Sequence, residues 1–123
     1  MEKNSTVLAI EDDEIILRFI EAILVAESFK VLLARSGKEG LETFDTRHPD
    51  IVLLDMMLPD TDGYDVLTRI RERSNTPVIM LTAVKTVTST SKSLELGAND
   101  YVTKPFRSHE LVARINAKLR RAA

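Results

Sequence analysis

The chain has 123 residues, 44% of them hydrophobic and 29% charged, with a net charge of −2. That balance suits one compact globule and gives no electrostatic case for nucleic-acid binding by this segment. There is no cysteine, hence no disulfide framework or thiolate metal centre, and no apolar run approaches the roughly 20 residues a membrane helix needs. The polar start Met1-Glu-Lys-Asn-Ser-Thr6 is not a signal peptide, so a cytoplasmic location is expected.

Short apolar runs alternate with amphipathic stretches along the whole chain. Val7–Ile10 opens it, followed by a helical pattern with Ile16, Ile20, Ile23 and Leu24 on one face. Val31–Ala34 comes next, then a helix that Ser36 caps and Leu41 and Phe44 turn inward. Ile51–Leu54 precedes a helix from about Asp62 to Arg73, with Val66, Leu67 and Ile70 apolar. Val78–Leu81 precedes a stretch rich in Ser and Thr. A weaker strand at Asp100–Val102 leads to a final helix, capped by Ser108, with Leu111, Val112, Ile115 and Leu119. Continuous apolar runs of this length suit parallel strands covered on both faces, although periodicity alone does not separate them from buried helix. Five such alternations predict an α/β domain with one doubly wound parallel sheet and five helices. No repeat, linker or internal boundary interrupts the chain.

In open parallel sheets, ligands sit beyond the carboxyl ends of the strands. Glu11-Asp12-Asp13 follows the first run, Asp55 the third, Thr82-Ala83 the fourth and Thr103-Lys104-Pro105 the fifth. Acids in a loop are commonly just solvated, and Thr82 and Lys104 each have ordinary roles as turn and surface residues. Asp55 differs, because it follows four apolar residues with no turn before it. A carboxylate there is partly buried and needs a cation or metal. Oxygen-only donors suit Mg²⁺, which keeps waters and shares phosphate oxygens.

The order Glu11-Asp12, Asp55, Thr82-Ala83 and Lys104-Pro105, with Leu58-Pro59 and Asp62-Gly63 after the central acid, resembles the receiver domain of two-component response regulators. The segment from Gly97 to Phe106 is especially similar, and the nearest branch is the OmpR/PhoB-type winged-helix one. The resemblance covers the chain as a single receiver domain over 1–123, with its core about 7–119. It implies a flavodoxin-like, CheY-like sheet in the order 2-1-3-4-5. It implies that Asp55 accepts a phosphoryl group from a sensor histidine kinase. Mg²⁺ would be held by Asp12 and Asp55, by Glu11 through water, and by the backbone carbonyl of Met57. Thr82 and Lys104 would contact the phosphoryl group, Tyr101 would be the aromatic switch, and Lys104-Pro105 would be cis. Met57 and Val84 would tune hydrolysis, and being apolar they predict slow loss of phosphate. Asp13 is an acid beyond the expected pair, its role open.

The resemblance also points to 86–121 as the face for a homodimer. It leaves open whether a C-terminal effector domain follows, since similar sequences occur both alone and joined to winged-helix domains. Asp100, Glu110 and Arg114 match the family's cross-subunit ion pairs, whereas Thr90 stands where a base is expected. The run from Thr86 to Ser91 costs about 3 kcal/mol in helix propensity, so a late-starting helix competes with one held by packing through Val87 and Leu94. Basic residues Arg114, Lys118, Arg120 and Arg121 suit a helix end rather than nucleic acid.

Rival readings are weaker. A phosphatase of the haloacid dehalogenase type needs a second Asp where Met57 stands. A flavin-binding module needs a phosphate loop where Glu11-Asp12-Asp13 would repel phosphate. The alternative kept open is a degenerate receiver acting only as a docking module. The chain is expected to be a phosphoacceptor rather than an enzyme with a separate substrate. His48 and His109 are expected to be exposed polar residues.

Overall fold

A computed structural model describes residues 4–83 and 87–122, except the side chains of 87–90 and 122. In chain order the elements are β1 (Thr6–Ile10), α1 (Glu14–Ala26), β2 (Lys30–Ala34), α2 (Gly37–Arg47), β3 (Ile51–Asp55), α3 (Gly63–Arg73), β4 (Val78–Thr82), α4 (Val87–Glu95), β5 (Asp100–Thr103) and α5 (Ser108–Ala122). All strand pairs are parallel, in the order β2-β1-β3-β4-β5.

Every residue of β3 and β4 is buried, which is why their sequences read as unbroken apolar runs. Successive side chains face opposite ways and feed two separate cores. Val7, Ala9, Leu53, Ile79 and Val102 pack with Leu17, Ile20 and Leu24 of α1 and Leu111 and Ile115 of α5. Leu8, Ile10, Val52, Leu54 and Met80 pack with Phe44 of α2 and Val66, Leu67 and Ile70 of α3.

Local signals explain the helix starts. Asp13 caps α1 by accepting from the backbone N–H groups of Ile15 and Ile16 at 2.9 and 3.3 Å, which gives the extra acid a structural job. Ser36 caps α2 and Asp62 caps α3. Ser108 lies inside α5 as its first residue, and the carbonyl of Arg107 accepts from Leu111 N. The buried stripe of α1 runs through Leu17, Ile20 and Leu24, with Ile16 and Ile23 only partly covered. His48 takes the left-handed conformation at the end of α2 with φ 49° and is exposed, as is His109.

At the end of the sheet away from the acids, α3 is tied to β5. Arg71 donates to the carbonyls of Gly97 and Ser74 and to Asn99 Oδ1, which also accepts from Val78 N. Gly97 has φ 103°, and a Cβ there would sit 3.0 Å from the Arg71 side chain. On α4, Ser93 is buried whereas Leu94 is 51% exposed, so Leu94 does not anchor the helix as expected. Leu96, just past its end, packs on the core instead, and the Lys92 ammonium lies 4.6 Å from the centre of the Tyr64 ring. The side chain of Val87 lies outside the described residues, and so does Thr86. Among the described residues no helix is long and apolar enough to cross a membrane.

Candidate functional site

The carboxyl ends of β1, β3, β4 and β5 converge on a cleft of about 300 Å³. It is lined by Glu11, Asp12, Asp13, Ile16, Asp55, Met56, Met57, Thr82, Ala83 and Lys104. The expected set is therefore together, with two exceptions. Tyr101 stands apart in register with Met80, and Val84 lies outside the described residues. Asp55 is 5% exposed at the last position of β3, and Glu11 is 1% exposed just beyond β1. Asp12 is exposed at the rim.

Lys104 reaches the cleft from just beyond β5, and the Lys104-Pro105 bond after it is cis. Its Nζ donates to Glu11 Oε1 and, at 3.1 Å, to Asp55 Oδ1. The direct Glu11–Lys104 pair was not legible in the sequence, because 93 residues separate the partners. The other oxygen of Glu11 accepts from Asp13 N at 3.0 Å. Burial pushes the Glu11 carboxyl above the usual carboxylate range, and its bond to Lys104 only partly offsets that. Burial also works against the Lys104 ammonium, but its bond to Glu11 and the nearby charge of Asp55 prevail and hold its pKa above the ordinary value.

One oxygen from each of Glu11, Asp12 and Asp55 lies within 4.8 Å of the others. Three carboxylates this close to one lysine leave an excess of negative charge, and their hard oxygens fit a small divalent cation. Met57 borders the cleft with a 74% exposed side chain, and its backbone pairs with Asp62 across the loop.

Thr82 is buried at the end of β4, and its carbonyl accepts from Lys104 N at 2.7 Å. Register pairs Met80 with Tyr101 and Thr82 with Thr103, so Thr82 and Tyr101 lie on the same sheet face. Tyr101 is half-buried against the α2–α3 core. On the α5 side, Arg114 binds both oxygens of Asp100 at 2.9 Å and Glu110 at 3.4 Å, all within one chain.

Comparison with known proteins agrees with this geometry. A family model described as response regulator receiver domain matches residues 7–116. A probable transcriptional regulator, ycf27, from Cyanophora paradoxa is 46% identical over 122 residues, 98% of this chain and 51% of the relative. The transcriptional regulatory protein CseB of Streptomyces coelicolor is 46% identical over 98% of this chain and 52% of its own length. The chain thus spans about half the length of these curated relatives. Among solved structures, the receiver domain of Francisella response regulator 1452 superposes with a TM-score of 0.93 at 35% identity, covering 98% of this chain and 100% of that one. The BeF3-activated N-terminal receiver domain of Klebsiella pneumoniae RstA gives 0.90 at 32%, covering 94% and 99%. From its sheet order to the lysine that spans its acids, the chain belongs to the response regulator receiver domains of two-component signalling.

Proposed function

We propose that the chain accepts a phosphoryl group on Asp55 from the phosphohistidine of a sensor histidine kinase. The observation that carries this reading is the bridge of Lys104 between Glu11 and Asp55 at the carboxyl-end rim of the sheet. The acid cluster of Glu11, Asp12 and Asp55 fits Mg²⁺; Asp12, Asp55 and the Met57 carbonyl would hold it directly and Glu11 through water. When bound, Mg²⁺ supplies positive charge to the phosphoryl oxygens, the main requirement of this chemistry.

The chain's own residues do the rest. An Asp55 carboxylate oxygen attacks phosphorus in line, the P–N bond of the donor breaks, and the donor imidazole leaves with that electron pair. Burial at the end of β3 fixes the attacking oxygen and keeps its backbone from drifting. Lys104 stays beside Asp55 and pairs with the transferred group, and the Thr82 hydroxyl donates to one of its oxygens. Drawing Thr82 toward the phosphate frees space on the face it shares with Tyr101, which turns inward and alters the α4–β5–α5 surface.

The family resemblance puts Met57 and Val84 at the positions beside the phosphoryl group, where neither side chain can position an attacking water, so the phosphorylated form is long-lived. The transcriptional relatives are about twice as long as this chain, which supports an effector domain as the partner its output face acts on. Because Thr90 stands where a basic partner for Glu110 is expected, a homodimer across 86–121 is held more weakly than in relatives with a charged helix there.

Incubation with Mg²⁺ and acetyl phosphate tests the core of this reading by mass spectrometry. The protein gains one phosphoryl group and Asp55→Asn does not. Equal modification of the variant would place the acceptor elsewhere, and no modification of either protein would leave only docking.

A further inference from the structure

We propose that Asp60 is a positioning residue, docking the loop that carries Met57 onto the start of α2 and thereby setting the affinity of the acid cleft for Mg²⁺. This rests on the metal-site reading above.

The loop between β3 and α3 is a tight hairpin. Gly63 N donates to the Met56 carbonyl at 2.7 Å, Met57 bridges to Asp62, and Leu58 N donates to the Thr61 carbonyl at 3.2 Å. Pro59 and Asp60 form its tip, where the proline ring fixes one backbone torsion. From that tip the two carboxylate oxygens of Asp60 each accept one backbone N–H, Gly37 N at 2.8 Å and Lys38 N at 2.9 Å. Both donors belong to the first turn of a helix, where no carbonyl of the helix can satisfy them. Ser36 takes a third, Glu39 N, at 3.1 Å. Asp60 is thus a second cap for α2, supplied from 22 and 23 residues away. The two bonds hold its carboxyl below the usual carboxylate range.

A second contact makes the docking close. A Cβ at Gly37 would fall 2.4 Å from Thr61 Cγ2, so any larger residue there makes the Thr61 side chain or the loop give way. α2 is itself a firm base, with Phe44 buried and Gly40 pressed on Ile10 of β1. The clamp therefore fixes the hairpin tip against the body of the domain. Met57, three residues before Asp60 on the same hairpin, inherits its position from both ends: Asp55 on one side and the clamp on the other. Loss of the clamp leaves the carbonyl to be ordered only when the cation binds, and that ordering is charged against affinity.

Calorimetric titration of the chain with MgCl₂, alongside thermal melting of the metal-free protein, tests the idea. Asp60→Ala weakens Mg²⁺ affinity about threefold to tenfold, less than the roughly 10- to 100-fold typical of a residue bonded directly to a ligand group. Asp60→Asn, which keeps one acceptor oxygen, falls between, and Gly37→Ala weakens binding with the carboxylate intact. Phosphoryl uptake from acetyl phosphate slows at sub-saturating Mg²⁺ and recovers at saturation. Unchanged Mg²⁺ affinity in Asp60→Ala, even with a lowered melting temperature, would make the contact merely structural and overturn the proposal. If the alanine variant does not fold, Asp60→Asn decides by the same criterion. A wild-type chain that binds no Mg²⁺ overturns the metal-site reading together with this one, whereas normal wild-type binding with unaffected variants overturns this one alone.

Discussion

Replacing Lys104 by methionine removes one cation from a site that holds Glu11 at 1% and Asp55 at 5% exposure, while keeping an apolar stem of similar length. Breaking a fully buried ion pair costs roughly 3–5 kcal/mol, because the remaining charge stays uncompensated. Here the Lys104 side chain keeps 15% of its exposure and the cleft opens to water, which scales the loss to about 2 kcal/mol. For a chain of this size that lowers Tm by roughly 8 °C. The pH dependence has a definite sign. Glu11 has a folded pKa raised above 4.5, so its contribution to stability is complete below 4.5 and is lost as pH rises through the folded value. Lys104 limits that loss, so the variant's deficit is small near pH 4.5 and full at neutral pH. The folded pKa of Lys104 is raised above 10.5, so its benefit is complete below 10.5 and disappears as pH rises through the folded value, closing the gap again. Saturating Mg²⁺ substitutes for the lost charge and shrinks the deficit at neutral pH. Urea unfolding followed by circular dichroism, at acidic and neutral pH with and without Mg²⁺, measures all of this. A variant as stable as wild type at neutral pH without metal would refute the view that Lys104 compensates the buried acids.

Other substitutions probe separate links. Gly63→Ala puts a Cβ 2.5 Å from the Asp55 carbonyl oxygen and 2.7 Å from Met56 Cα, backbone atoms that cannot yield cheaply. It destabilises by about 2–3 kcal/mol, read by urea midpoint, and lowers phosphoryl uptake in protein that remains folded. Asp13→Ala removes the cap of α1 and costs about 1 kcal/mol by the same measure. The Glu14 carboxyl, bonded to Arg35 and Arg18, titrates at about 2, so the stability it lends is complete above 4.5 and falls as pH drops through about 2. Carboxyl NMR of Arg35→Gln shows that midpoint returning toward 4.5. Met57→Asn places an amide beside the cleft and speeds loss of the phosphoryl group, followed by mass after donor removal.

Strands and rim were legible because both signals are local. An apolar run covered on two faces is written in consecutive residues, and the acids of β1 and β3 come directly after such runs. β5, an edge strand carrying Asp100, gave a weaker pattern for the same reason. Leu17 escaped because a wide apolar stripe on α1 let Ile16 stand in its place, though Leu17 is the one fully buried. Leu94 was read as an anchor, but the turn of α4 presents Ser93 to the core. The bond between Lys104 and Glu11 and the reach of Asp60 to Gly37 join distant parts of the chain, and only the fold brings those ends together. The role of Asp13 needed its backbone angles, since an acid before a helix reads equally as ligand or cap.

The tie made by Arg71 bears on how a signal leaves the cleft. It grips the turn at Gly97 and the start of β5 from below, where Asn99 also holds Val78. The end of α4 nearest Gly97 is therefore held against α3 and the start of β4. If phosphorylation of Asp55 draws Thr82 toward the cleft, as proposed above, any resulting motion of α4 would pivot about this held end. Substituting Arg71 would leave the chemistry of the cleft intact and make its report to the outer surface slack.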